Sequence, residues 1–190
     1  MNTTDYLERI LDEMESVGGK AKEIKDGLYY EYVPAIEKLT EMLNEALEVK
    51  TEESQKELSR IAYRAHDIQG EIYKDLKLKL EYGKNRFEDM KTSPGYKQNA
   101  VDALRLLAFM TLAYQIACKC FAVQGEYRVC NNILQGYKEI VGKSGKDQQD
   151  ILLWLNLKNV FIEQGDLVFG FRQIIQQIIT YEKADREVSA

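Results

Sequence analysis

The sequence predicts an all-α protein of about seven helices in a single domain. Only two prolines occur among 190 residues, so long stretches are free of the residue that most strongly breaks helices. Hydrophobic residues make up 45% of the chain, and they recur at steps of three and four, the spacing of an amphipathic helix. No segment shows the apolar–polar alternation that is typical of a half-buried strand.

The first two predicted helices are amphipathic. The segment NTTDYLERILDEMESVGG begins with threonines that can cap a helix and ends at Gly18-Gly19, a common helix terminator. A second apolar pattern runs from Leu28 to Leu47 and contains Pro34. Either the helix kinks at Pro34, or a new helix begins there with the proline in its first turn.

A long third helix is predicted from Thr51 to about Tyr82. Thr51 can cap it, with Ser54 as an alternative, and its apolar residues continue in phase across Gly70. Residues 1–83 thus form an acidic part made of long helices. Residues 84–98 are predicted to be a loop, because they combine Ser93-Pro94-Gly95 with many charges.

Residues 99–183 form the second predicted part, which begins with the most apolar stretch, Leu106–Val123. That stretch is long enough to suggest a membrane-inserting segment. However, it contains Gln115 and Lys119 and follows Arg105. We therefore expect a buried central helix and no membrane association, with a membrane-active helical protein as a further alternative.

Two segments in this second part resemble each other. YQIACKCFAVQGEYRVCNNILQGY aligns with WLNLKNVFIEQGDLVFGFRQIIQQ, and the offset from Gly125 to Gly165 is 40 residues. In each copy a glycine permits a tight left-handed turn, and the acidic residue after it suits the positive end of the next helix. The segments therefore predict two helical hairpins, with Cys130 and Gly170 as small residues that let the helices approach closely.

These hairpins resemble the tetratricopeptide repeat over about residues 111–180. The matching positions are Trp154, Leu157, Phe161, Gly165-Asp166-Leu167 and Gly170 in one copy, and Tyr114, Ala117, Phe121, Gly125-Glu126-Tyr127 and Cys130 in the other. The period is longer than that of the family, no proline closes either copy, and the usual alanine of the second helix is replaced. The resemblance implies a short superhelical stack that binds a peptide or helix in a groove.

Charge indicates the kind of partner. The chain carries a net charge of −5, whereas proteins that bind nucleic acid by its phosphates need a basic face. Most of the acidic excess lies in the first half, which favours a basic protein partner, and self-association is the alternative. We therefore expect a non-enzymatic interaction module: an adaptor, a chaperone or an inhibitor.

Neither a metal nor another cofactor is expected. Cys118 and Cys120 stand two positions apart on a helix and point in nearly opposite directions, and His66 is the only histidine. A four-ligand zinc site is therefore out of reach of one chain. Three cysteines are also not a disulfide framework, and the N-terminus lacks the pattern of a signal peptide, so we expect a cytoplasmic location.

An enzymatic alternative rests on Arg60 and His66. Five residues separate them in RIAYRAH, and this spacing resembles the motif of the helical ribonucleases of the HEPN family. The resemblance implies that both side chains would act on the scissile phosphate, usually across a dimer. Ile61 departs from the family, which usually has a polar residue there. The other interpretation is that both are ordinary residues of a helix surface.

Aromatic residues are the candidates for partner binding. Tyr29, Tyr30 and Tyr32 cluster before Pro34, and aromatic side chains with a polar group suit interfaces. Tyr114 and Trp154, the first aromatic residues of the two hairpins, complete the predicted set. Aromatic residues at helical spacing are more often part of a core, which is the competing interpretation.

Overall fold

The computed structural model describes residues 3–16, 32–49, 51–90, 93–141, 169–173 and 176. Within them the chain forms five helices: α1 (Thr3–Ser16), α2 (Tyr32–Glu48), α3 (Glu52–Met90), α4 (Pro94–Val123) and α5 (Tyr127–Val141). Residues 169–173 are also helical, and these described parts contain no strand. The predicted all-α class is therefore confirmed.

Helix α4 is the centre of the molecule. It packs against α2, α3 and α5, and its interface with α3 is the most extensive. It is the one described helix that is long and apolar enough to cross a membrane, and 78% of its most apolar window is buried inside the protein. Such burial favours the interpretation of Leu106–Val123 as a core helix.

Helix α3 begins with a reciprocal cap. The backbone N–H of Ser54 donates to Thr51 Oγ1 at 3.2 Å, and the backbone N–H of Thr51 donates to Ser54 Oγ at 2.9 Å. The helix then runs through Gly70 without interruption, as its in-phase apolar residues predict. Those residues are all buried: Leu58, Ile61, Ala65, Ile68, Ile72, Leu76 and Leu80.

The loop predicted over residues 84–98 is wrong for most of its length. Helix α3 continues to Met90, and α4 begins at Pro94. Ser93 caps α4, because its Oγ accepts a hydrogen bond from the backbone N–H of Tyr96 at 3.1 Å. The third helix extends beyond Tyr82 because Phe87 continues the buried side of α3, and the charged residues around it occupy the other sides.

Pro34 lies in the first turn of α2, which is the second of the two predicted alternatives. A proline is tolerated there because its missing N–H would have had no partner in the helix. Along α2, Val33, Ile36, Leu39 and Leu43 are buried. The predicted helix end at Gly18-Gly19 and the start of the pattern at Leu28 lie outside the described residues.

The turn predicted at Gly125 is present. Gly125 has φ 76°, a left-handed conformation that glycine adopts without strain. Its N–H donates to Ala122 O at 3.0 Å, and the N–H of Glu126 donates to Phe121 O at 2.9 Å. These two bonds form the Schellman motif that ends many helices. Gly165 lies outside the described residues, so the repeat of this turn stays a prediction.

Candidate interaction surface

Seven positions of α3 follow one another at steps of three and four on its outer side. We call them the α3 stripe: Arg60, Tyr63, Asp67, Gly70, Lys74, Leu78 and Glu81. At 3.6 residues per turn they fall within about 80° of one another around the helix. They lie opposite the buried residues of α3, so the stripe faces away from α4.

Two large apolar side chains lie on this otherwise polar stripe. Tyr63 is 69% exposed and Leu78 is 66% exposed. The four charged members are exposed too, two of them basic and two acidic. The stripe is therefore nearly neutral, although the chain as a whole is acidic.

Gly70 stands at the middle of the stripe. A Cβ atom added to Gly70 would meet none of the described atoms within 4 Å, so no described neighbour requires a glycine there. A glycine inside an exposed helix costs about 1 kcal/mol relative to alanine. Because Gly70 has no side chain, the helix surface has a shallow notch there, over which another backbone could approach closely.

Arg60 and His66 both lie on the exposed surface of α3. Arg60 donates to Glu57 Oε2 at 3.1 Å, and three-quarters of its side chain is exposed. Six positions along a helix correspond to a rotation of about 120° between the two side chains. Within one chain, the side chains of Arg60 and His66 thus lie on different sides of α3. The ribonuclease alternative stays a prediction.

Tyr32 and Tyr114, two of the aromatic residues predicted to bind a partner, pack against residues of the core. The Tyr32 ring lies 5.7 Å from that of Phe109. Tyr114 is only 8% exposed, and its ring lies edge-on to Tyr137 at 5.6 Å. The remaining three lie outside the described residues: Tyr29, Tyr30 and Trp154.

Tyr63 and Leu78 are not among the residues predicted to bind a partner, all of which are clustered aromatics or the first aromatics of the two hairpins. The spacing of residues along the helix nevertheless indicates that both side chains are exposed. Both residues stand on the polar side of a helix whose apolar side is already complete, so they have no place in the core. Single exposed apolar residues are common on protein surfaces, but these two share one side of α3 with the charged residues of the stripe.

The three cysteines are buried thiols. Cys130 Sγ donates to Cys118 O at 3.2 Å, and Cys118 Sγ donates to Cys130 O at 3.8 Å, so the two residues join α4 to α5. The contact with Cys130, together with burial, raises the pKa of the Cys118 thiol well above its ordinary value. Burial raises the pKa of the Cys120 thiol to about 12. Cys118 and Cys120 are therefore poor nucleophiles, because the thiolate is the reactive form, whereas the contact with Cys118 lowers the pKa of the Cys130 thiol.

A buried ionic cluster surrounds Asp102 of α4. Its Oδ1 accepts hydrogen bonds at 3.0 Å from Arg105 Nη1 and from Gln98 Nε2. Lys79 Nζ lies 3.8 Å from Oδ2. Asp102 and Arg105 are both buried. The Asp102 carboxylate thus has two cationic partners and one amide partner, and the cluster is structural. Its contact with Lys79 joins α3 to α4.

Two clefts lie elsewhere on the described surface. A small one of about 40 Å³ lies between α2 and α4 beside Thr40 and Lys119, and it is far below the volume of a typical ligand pocket. A wider one of about 550 Å³ lies between α1 and the described residues 169–173 and 176, where Arg172 Nη2 pairs with Asp12 Oδ1 at 2.7 Å. Within the described residues, no group of three or more His, Cys, Asp or Glu side chains could hold a metal ion.

Comparison of the chain with protein-family models, with curated proteins and with solved structures finds no match.

Proposed function

We propose that the chain is a non-enzymatic protein–protein interaction module that binds a partner through the α3 stripe. The observation that carries the proposal is the exposure of Tyr63 and Leu78 on the outer side of a long, well-anchored helix. The residues of the α3 stripe recur at steps of three and four, so their side chains share one face of the helix. A partner helix can bind along such a face. The mechanism is burial of apolar surface together with matching of charges, and no covalent bond is made or broken.

The rigidity of α3 supports this role. Its inner side is buried along most of its length, and a reciprocal cap fixes its beginning. A surface on such a helix keeps its shape before binding, which reduces the entropy lost on association. Tyr63 adds a rigid ring with a polar group, a side chain that is frequent among the strongest contributors to interfaces.

Site-specific photocrosslinking tests the proposal. The photoreactive amino acid p-benzoylphenylalanine replaces Tyr63, or Leu78 in a second variant, and the chain is irradiated in its native cells. We expect a discrete crosslinked protein from both positions. The matched control carries the same group at Glu37, an exposed residue of α2, where we expect no adduct. Absence of any adduct at both stripe positions would count against the proposal.

A further inference from the structure

Six of the seven residues of the α3 stripe form three pairs that are symmetric about a point between Gly70 and Glu71. Arg60 lies as far before this point as Glu81 lies after it. The same relation holds for Tyr63 with Leu78, and it holds again for Asp67 with Lys74. Each basic residue is thus matched to an acidic one, and each large apolar residue is matched to the other.

From this arrangement we infer that the partner is a second copy of the chain, bound through an antiparallel α3–α3 contact about a twofold axis. The inference rests on the proposed function and names the partner. In such a pair, Arg60 faces Glu81 of the second copy, and Asp67 faces its Lys74. Because a twofold contact repeats every interaction, the interface contains four contacts between opposite charges and two between Tyr63 and Leu78.

A parallel arrangement is disfavoured by the same residues. It would place identical side chains opposite each other, Asp67 against Asp67 and Lys74 against Lys74. Contacts between like charges are destabilising. The order of charges therefore selects the antiparallel orientation.

Gly70 provides the close approach that the contact needs. Its notch lies next to the twofold axis, where two helices with contacts at steps of three and four come nearest. A Cβ atom at Gly70 meets none of the described atoms within 4 Å, so no described part of the folded monomer requires the glycine. In the antiparallel pair, however, the glycine lets the two backbones pack together.

The charges of the α3 stripe favour a second copy of the chain over a basic partner. The stripe carries two basic residues, Arg60 and Lys74, and a basic partner helix would meet both of them. A copy of the same stripe meets each with an acid. The acidic excess of the first half lies mostly elsewhere, so it can still attract another protein to a different surface.

Charge exchange across the stripe tests the inference by sedimentation equilibrium from micromolar to millimolar concentration. Asp67→Lys and Lys74→Asp each replace two attractive contacts with two repulsive ones, and we expect each variant to weaken dimerisation about tenfold or more. The double variant Asp67→Lys/Lys74→Asp exchanges the charges and restores the dimer. Lys38→Glu on the exposed side of α2 is the control and leaves dimerisation unchanged. Circular dichroism confirms that each variant is folded.

Cysteine crosslinking tests the register. A chain with Tyr63→Cys, mixed with a chain with Leu78→Cys, forms an intermolecular disulfide under mild oxidation. Neither variant alone does so efficiently, because in the antiparallel pair residue 63 does not face residue 63. Crosslinking of the Tyr63→Cys variant to itself would overturn the orientation.

Two further outcomes would overturn the inference. One is a wild-type chain that stays monomeric at millimolar concentration. The other is a double charge variant that dimerises as weakly as the single variants. If the wild-type chain is monomeric while the photoreactive group at position 63 still captures a different protein, the proposed function survives and the second copy is excluded. Absence of both self-association and capture removes the proposed function as well.

Discussion

Tyr6 of α1 lies directly over Gly83 of α3, so close that a Cβ atom on Gly83 would overlap the phenol ring. Tyr6 is completely buried, and its ring lies edge-on to Phe87 with 6.5 Å between centroids. Tyr96 adds to the same junction, because its hydroxyl donates to Gly83 O at 3.3 Å. The absence of a side chain at Gly83 therefore decides how α1 packs onto the long helix.

Gly83→Ala and Gly70→Ala are expected to have opposite effects, although both glycines lie inside α3. The methyl group at Gly83 displaces Tyr6 from a packed junction, and we expect a loss of about 1–3 kcal/mol in the free energy of unfolding. The methyl group at Gly70 meets no described atom of the monomer, and at concentrations at which the chain is monomeric we expect a gain of up to about 1 kcal/mol. Urea denaturation followed by circular dichroism measures both values.

A double-mutant cycle assigns the Gly83 effect to its cause. In a Tyr6→Leu background the smaller side chain leaves room, so Gly83→Ala should cost less than in the wild-type chain. Equal costs in the two backgrounds would show that Tyr6 is not the obstacle.

Stability should fall at alkaline pH because of the buried thiols. The pKa of Cys120 is about 12 in the folded chain against 9.0 for an unperturbed thiol. Its contribution to stability is therefore complete below pH 9 and is lost as the pH rises from 9 to 12. In this range, one such group lowers the free energy of unfolding by at most about 1.4 kcal/mol for each pH unit. Burial raises the pKa of Tyr6 in the same direction, while Tyr96 and Asn99 beside it act against that rise.

The measurement is the free energy of unfolding in urea at several pH values between 8 and about 11, the range in which thiols titrate. Cys120→Ala should reduce the slope. Leu134→Ala, which removes a buried side chain without a titrating group, should lower stability and leave the slope unchanged. A slope for Cys120→Ala identical to that of the wild-type chain would contradict the assignment.

Removing Arg105 should strongly destabilise the chain. Arg105→Met leaves Asp102 buried without its closest cation, and breaking a buried pair in this way costs about 3–5 kcal/mol. Adding Asp102→Asn removes the uncompensated charge and should recover part of the loss. Arg64→Met, on the exposed side of α3, is the matched control for loss of an arginine. An equal effect at positions 64 and 105 would refute the role of the pair.

His66→Ala should change nothing measurable in an RNA-cleavage assay. Under the proposed function the wild-type chain does not cleave RNA, and an exposed histidine contributes little to stability. The antiparallel pair also holds the two Arg60–His66 segments about 20 Å apart, given a rise of 1.5 Å per residue. Cleavage by the wild-type chain that disappears in His66→Ala and in Arg60→Ala would instead support the ribonuclease alternative.

The sequence was sufficient where local patterns determine structure. Steps of three and four identified the buried side of α3 and its continuity through Gly70. The chemistry of single residues identified Thr51 as a cap and Gly125 as a left-handed turn, and it offered the first-turn position of Pro34 as one of two alternatives. Each depends on neighbours within one or two helical turns, which the sequence shows directly.

The sequence was insufficient where the decisive contact comes from far along the chain. Gly83 was interpreted as the end of a helix, because nothing nearby shows that Tyr6 occupies the space above it. Tyr114 was left between partner binding and the core for the same reason, since its neighbour Tyr137 belongs to another helix. Tyr63 and Leu78 could have been found, since their exposure follows from their position opposite the buried side of α3.

The central position of α4 has a consequence for folding during synthesis. Helices α2 and α3 are made before α4, and the apolar sides that they pack against α4 stay uncovered until α4 emerges from the ribosome. We therefore expect the nascent chain to remain sensitive to protease until residue 123 has left the exit tunnel and to become resistant soon afterwards. Stalled chains that end on either side of that point would reveal the change, and sensitivity that declines steadily from α1 onward would disprove it.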